Sequence, residues 1–174
     1  PGVTEYIINL GEAWDKNYLK ECKTAIINLT DENKRLHRKA SDFMQVASRI
    51  KLENMRYCDS ITDRDKLKNF AERLCKREIP TRKNVEKGRK QKRFLSAISP
   101  DGVVLQYDTI VALSERIITI KDDFSICAPF IMDYVSGYAS ENGYTVYECY
   151  CPLFPTAKIE HVIIPELKLC FFTE

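Results

Sequence analysis

The strongest constraint on the fold is residues 15–55, where apolar side chains recur at helical spacing: Leu19, Cys22, Ile26, Leu29, Leu36, Ala40, Phe43, Met44, Ala47 and Ile50. The residues between them are largely Lys, Arg, Glu, Asp and Asn, which is the pattern of an amphipathic helix. Asp15 is placed to cap its start, and the phase runs through Thr30-Asp31-Glu32 without a Gly or Pro. The spacing predicts one long helix, with a break near Thr30 as the alternative. At about 1.5 Å per residue such a helix spans on the order of 60 Å, more than a small globule can cover, so it needs a partner helix. Thr62-Asp63-Arg64-Asp65 can start that partner, with Leu67, Phe70, Ala71 and Leu74 as its apolar face. Residues 15–76 thus read as a long antiparallel helical hairpin, which Pro80 ends.

The charge of the chain is concentrated just beyond. Residues 76–93 hold nine Lys or Arg against Glu78 and Glu86, a local +7 in a chain whose net charge is +2. Two readings of Arg82, Lys83, Lys87, Arg89, Lys90, Lys92 and Arg93 stand side by side. One is an exposed basic connector over residues 81–93. The other is a contact for nucleic acid or another polyanion, although no aromatic residue is interleaved to stack on bases.

After Arg93 the texture changes to β-branched residues, alternation and turns. Phe94-Leu95-Ser96-Ala97-Ile98 and Val103-Val104-Leu105-Gln106-Tyr107 flank Ser99-Pro100-Asp101-Gly102, which predicts a β-hairpin. Residues 116–121 read as a buried strand. Ser125 is placed to cap a helix over about 126–140, with Pro129 in its first turn and Asn142-Gly143 as its stop. Residues 144–150, 161–164 and 167–172 read as further strands. The expectation is α/β: a helical part over 1–80, the connector, and a three-layer sheet with a β-hairpin over 94–174.

A strand running into a helix through a short loop is the context of a phosphate loop, G-x-x-x-x-G-K-[ST]. There glycines let amides fold around phosphates, the Lys neutralises charge and the hydroxyl holds magnesium. The loop here is Lys121 followed by Asp122, Asp123, Phe124, Ser125, Ile126, Cys127, Ala128 and Pro129. The stretch 93–174 resembles the second half of bacterial two-module P-loop ATPase-like proteins of spore-forming bacteria, in which a helical insert joins two similar modules. The resemblance rests on Phe94-Leu95-Ser96-Ala97-Ile98-Ser99-Pro100-Asp101-Gly102, Glu141-Asn142-Gly143-Tyr144-Thr145-Val146, Tyr150-Cys151-Pro152 and, above all, Glu160-His161-Val162-Ile163-Ile164-Pro165-Glu166-Leu167. It extends over Pro1-Gly2-Val3 and Ile8-Asn9-Leu10-Gly11-Glu12-Ala13-Trp14-Asp15, the lead-in to the insert. It implies that intact relatives are magnesium-dependent ATPases carrying G-[KR]-P-G-T-G-K-S-T at this loop. By that comparison Asp122, Ser125 and Cys127 replace glycines, Ala128 replaces the Lys and Pro129 the metal-binding hydroxyl. Thr173 follows the strand that would end in a metal-supporting Asp.

The resemblance therefore implies a non-catalytic, degenerate P-loop NTPase-like module with a structural or regulatory role toward a partner module. That partner would be a second P-loop-like module or another copy of the chain. No cofactor is expected in this chain, ATP and Mg belonging only to an intact module of the parent. The alternative function is a nucleic-acid or polyanion-binding adaptor using residues 82–93. Seven cysteines without C-x-x-C spacing suit reduced thiols better than a disulfide framework, and hence a cytoplasmic protein. Cys149, Cys151 and His161 give three candidate metal ligands but no second pair at finger-like spacing, so no metal is expected. No orienting Asp or Asn accompanies a Cys-His pair, and no hydrolase chemistry is expected. The start at Pro1 and the stop just after a buried strand lead to the expectation of a fragment of something longer.

Overall fold

The structure is a computed structural model that describes residues 9–174. The part of the resemblance that falls on residues 1–8 lies outside the described residues. The chain divides into two units, Pro1–Val46 and Ala47–Glu174.

Asp15 caps the first helix as expected: Oδ1 accepts from the N–H groups of Asn17 and Tyr18 at 2.9 and 3.1 Å, opening α1 (Lys16–Glu21). The backbone ladder carries on through Cys22, whose N–H donates to Tyr18 O at 3.0 Å and whose own carbonyl accepts from Ile26 at 2.9 Å. Beyond it α2 runs over Lys23–Ser60. The long helix is therefore present, with its irregularity at Cys22 and not near Thr30. Thr30 fits inside the helix because its hydroxyl donates back to Ile26 O at 2.7 Å. No residue of α2 is buried.

The helix α3 (Arg64–Glu78) starts at Asp63, whose carboxylate accepts from Lys66 N–H at 3.0 Å. Its apolar face does not close an antiparallel hairpin on the long helix as expected. Ala71, Leu74 and Cys75 instead share one core cluster with Ile131, Met132 and Val135 of a later helix. The small residues Ala71 and Cys75 let two helices approach closely, and that neighbour already covers a sheet, so the face becomes fully dry there.

The sheet holds five strands. β1 (Lys90–Arg93) stands at one edge; β2 (Ser96–Ser99) and β3 (Gly102–Leu105) form a separate antiparallel hairpin. Gly102 takes φ +112°, the positive region the hairpin turn demands. α4 (Tyr107–Leu113) follows where a continuing strand was expected at Tyr107. Then come β4 (Arg116–Ile120), α5 (Cys127–Glu141), β5 (Val146–Tyr150), β6 (Ile159–Ile164) and β7 (Leu169–Thr173). The order is β1-β5-β6-β7-β4; β1 runs parallel to β5 and β4 parallel to β7, while β6 is antiparallel to both of its neighbours.

One sheet face buries Val146, Val162, Ile164, Leu169 and Phe171 beneath α5 and α3. The opposite face buries Cys149, Ile163 and Cys170 beneath Leu95 and Ile110 of α4. Alternate residues of each strand thus serve opposite faces, which is why these strands read as nearly continuous apolar runs. The result is a mixed α/β architecture of three layers. Among the described residues no helix is long and apolar enough to cross a membrane.

The stretch expected as an exposed connector over 81–93 is exposed, apart from Gly88, and without helix or strand as far as Arg89, but it is anchored at three points and ends in β1. Arg82 N–H donates to Asn142 Oδ1 at 3.3 Å, Tyr144 OH donates to Pro80 O at 3.0 Å, and Gly88 N–H donates to Ser140 O at 2.7 Å. A Cβ on Gly88 would come within 2.0 Å of the Tyr144 carbonyl oxygen, so only glycine lets the chain pass there. Lys90-Gln91-Lys92-Arg93 then pairs with residues 146–149.

Candidate functional site

Parallel pairing sets Ile120 at the end of β4 beside Thr173 at the end of β7. The chain leaves β4 through residues 121–126 and enters α5 at Cys127. Crevices at the carboxyl ends of such strands are where α/β proteins bind ligands. The loop folds as a turn, with Ser125 N–H donating to Asp122 O at 2.9 Å and Ser125 itself at φ +55°.

Ser125 does not cap α5 as its position suggested. The N-cap residue is Ile126, with no side-chain cap of its own, and the capping group comes from further back: Asp122 Oδ2 accepts from Ala128 N–H at 2.7 Å. The positive φ of Ser125 turns the backbone so that Asp122, six residues before Ala128, lies under the helix end. A carboxylate is favoured there by the orphan amides and by the helix dipole. Pro129, in the first turn, lacks an N–H that would in any case have no intrahelical partner.

The groups around this crossing carry a negative balance. A cavity of about 400 Å³ is lined by the carboxylates of Asp122, Asp123, Glu160 and Glu174 against the ammonium groups of Lys51 and Lys158. Lys158 is buried, its Nζ lying 3.9 Å from Glu160 Oε1. Burial first, and Lys51 second, push its pKa down. Thr173 donates its hydroxyl to the Glu160 carbonyl and its N–H to His161 Nδ1 at 3.2 Å, so both donors of this last β7 residue are committed to protein partners. Phe124 and Asp123 are exposed at the loop tip.

His161 is buried and stacked on Phe172 with ring centroids 4.5 Å apart. Burial pushes its pKa down to about 4 against the opposing pull of Glu160, so it is neutral at physiological pH. Accepting at Nδ1 places the proton on Nε2. Cys149 is its cross-strand partner, and burial raises the Cys149 thiol to about 12. Cys75 and Cys170 are raised likewise to about 12, and all seven cysteines are free. Protonated thiols of this kind are packing groups, neither nucleophiles nor ready ligands. Among the described residues no group of three or more His, Cys, Asp or Glu side chains is gathered to hold a metal.

The basic stretch divides in two. Lys90 Nζ sits 3.0 Å from Glu148 Oε1; the Arg82 guanidinium lies 3.7 Å from the ring centre of Tyr144; Lys92 and Arg93 lie over Tyr150 and Tyr147 at 5.0 and 5.5 Å. These four cations are engaged with β5 and its approach. All seven cations of the stretch, Lys83, Lys87 and Arg89 included, are exposed.

Compared with protein-family models, with curated proteins and with solved structures, the chain finds no match in any of the three.

Sequence reasoning missed a buried polar cluster beside β1. Glu148 accepts from Ser136 Oγ at 2.5 Å and from Tyr150 OH at 3.3 Å in addition to pairing with Lys90. Burial alone would raise its carboxyl; the hydrogen bonds from Ser136 and Lys90 outweigh that and hold it below the usual range. Burial, and then Glu148, raise Asp133 beside it. The alternation of residues 146–150 placed Glu148 on an apolar face, a signal of a satisfied buried charge.

Proposed function

We propose that this chain is a non-catalytic, degenerate P-loop NTPase-like module that serves a structural or regulatory role toward a partner module. The observation that carries this reading is the Asp122 carboxylate on the Ala128 amide at 2.7 Å. A phosphate bound at a strand-to-helix loop is held by the amides at the helix N-terminus. Here an anion built into the chain takes one of those amides, and it does so at no cost in ligand binding. The field of the surroundings works the same way, with four carboxylates against two ammonium groups beside the loop. A triphosphate brought to this place meets repulsion, and no Lys stands in the loop after Lys121 to offset it.

The adjacency of β4 and β7 and the layered sheet support the P-loop-like part of the reading as an arrangement, and the residue resemblance supplies the family. The basic stretch gives less support to a nucleic-acid adaptor, because Lys90 is paired with buried Glu148 and Arg82, Lys92 and Arg93 lie over tyrosine rings. The test is a calorimetric titration of the full chain with ATP and magnesium. No binding is expected up to about 1 mM; a dissociation constant in the micromolar range, about −8 kcal/mol, would overturn the reading.

A further inference from the structure

We infer that α2 is one strand of a parallel, two-stranded coiled coil formed with a second copy of this chain, independently of the nucleotide question. From Leu19 onward the helix repeats with alternating steps of three and four residues, without a slip, over six heptads. The a positions are Leu19, Ile26, Asn33, Ala40, Ala47 and Asn54, and the d positions are Cys22, Leu29, Leu36, Phe43, Ile50 and Tyr57. The continuous ladder at Cys22 carries this phase from α1 into α2. A seam of period 3.5 sustained this long is the signature of a helix that supercoils around a like helix.

The structure leaves that seam open along residues 26–43; further on, Ala47, Ile50 and Asn54 border a groove whose far wall is Asp123 and Phe124. Leu29 is 71% exposed, Phe43 68%, Ile50 61% and Tyr57 72%. These are large side chains on one stripe, and the ion pairs Arg35–Glu32 and Arg56–Glu53 put their arginines at the outward c positions. What covers the seam follows from its own polar members. Asn33 stands at an a position in the open part, and Asn54 at another beside the groove. In a parallel in-register pair each faces its own copy and the two amides hydrogen-bond across the axis; in an antiparallel pair each would face an apolar d residue and be left unsatisfied. The flanking charges agree. In the parallel arrangement g residues face the e residues of the next heptad, setting Glu32 by the second copy's His37 and Lys39 by its Met44. Neither of these meetings joins like charges.

Sedimentation equilibrium of the full chain tests the association, and cysteine chemistry tests its direction. A dimer is expected at about 10 µM, and Leu29→Asp with Leu36→Asp should raise its dissociation constant at least about 100-fold. Both side chains are exposed, so the α/β unit should keep its near-UV circular dichroism. Mild oxidation should link Cys22 to Cys22 of the second copy, mapped by mass spectrometry and lost in Cys22→Ser, since d residues meet in register. A chain that stays monomeric at about 100 µM overturns the proposal, as does a dimer untouched by the double substitution. A higher oligomer would overturn the two-stranded form, and a Cys22 to Cys58 link the parallel direction.

Discussion

Helix α2 carries 15 apolar residues in 38 and buries none of them, while α5 carries nine in 15 and buries seven of its residues. Composition and placement both separate the two. α5 connects β4 to β5, whose positions at opposite parts of the sheet draw it across the intervening strands, so Ile131, Met132 and Val135 are roofed by α3 and floored by the sheet. α2 carries its apolar residues as a narrow seam, which is dry only against another seam of the same period. Apolar periodicity therefore reports that a helix forms, while what it packs on is decided by topology.

The largest effect should separate the two regions outright. Phe171, on β7, is completely buried beneath α5, whereas Phe43 is 68% exposed on α2. Phe171→Ala should cost about 3–5 kcal/mol, combining lost transfer energy with a cavity. Phe43→Ala should change the stability of the α/β unit by less than about 0.5 kcal/mol. Urea unfolding followed by near-UV circular dichroism, at concentrations too low for association, measures both. Equal losses would mean that α2 is packed and the contrast is wrong.

Acid should weaken the sheet next. His161 is held neutral with a pKa of about 4, below the 6.5 of an accessible imidazole, while in the unfolded chain it takes up a proton near 6.5. The unfolded state then binds more protons, so stability is complete above about pH 6.5, falls as pH drops toward 4 and levels off below for this group. At about 1.4 kcal/mol per pKa unit the loss is roughly 3 kcal/mol. Unfolding free energies at several pH values between 7 and 4 should show this slope, and His161→Gln should flatten it. A wild-type profile without that slope would place the imidazole in water and not in the core.

The strands β4 to β7 were legible because most side chains they bury are β-branched or aromatic residues that favour pleated backbone. The hairpin was legible through Pro100-Asp101-Gly102, whose turn chemistry is local. What escaped was non-local. Lys90-Gln91-Lys92-Arg93 has the composition of a solvated run; it becomes a strand because β5 offers it a free edge, and because Lys90 can reach buried Glu148. Basic residues are common on sheet edges for the same reason that they looked like a linker, since they keep the edge in water. α4 lacks a capping side chain at Gln106 and is seven residues long, so it had no start signal. The face of α3 was visible, but its partner was assigned by nearness in sequence. At the candidate site the loop boundaries were legible and the absence of glycines was evident. The role of Asp122 was not, because a cap six residues before the amide it serves depends on the positive φ of Ser125.

That cap gives the smallest effect and the finest comparison, between the start of α5 and the start of α3. Asp63 caps α3 locally, at the residue before the helix, and Asp122 caps α5 from a distance. A remote cap holds the loop as well as the helix, since releasing the carboxylate frees the turn from Asp122 to Ser125. Asp122→Ala should lower stability by about 1 kcal/mol, within the usual range for losing a capping oxygen. Asp122→Asn keeps an acceptor but removes the charge, and should cost only the charge–dipole part, about 0.3–1 kcal/mol, shrinking as salt is added. Asp123→Ala, at an exposed neighbour, should stay within about 0.5 kcal/mol of wild type. Thermal unfolding of the three variants orders them, and if Asp123→Ala proved as costly as Asp122→Ala, the Asp122 carboxylate would not be the group that fills the start of α5.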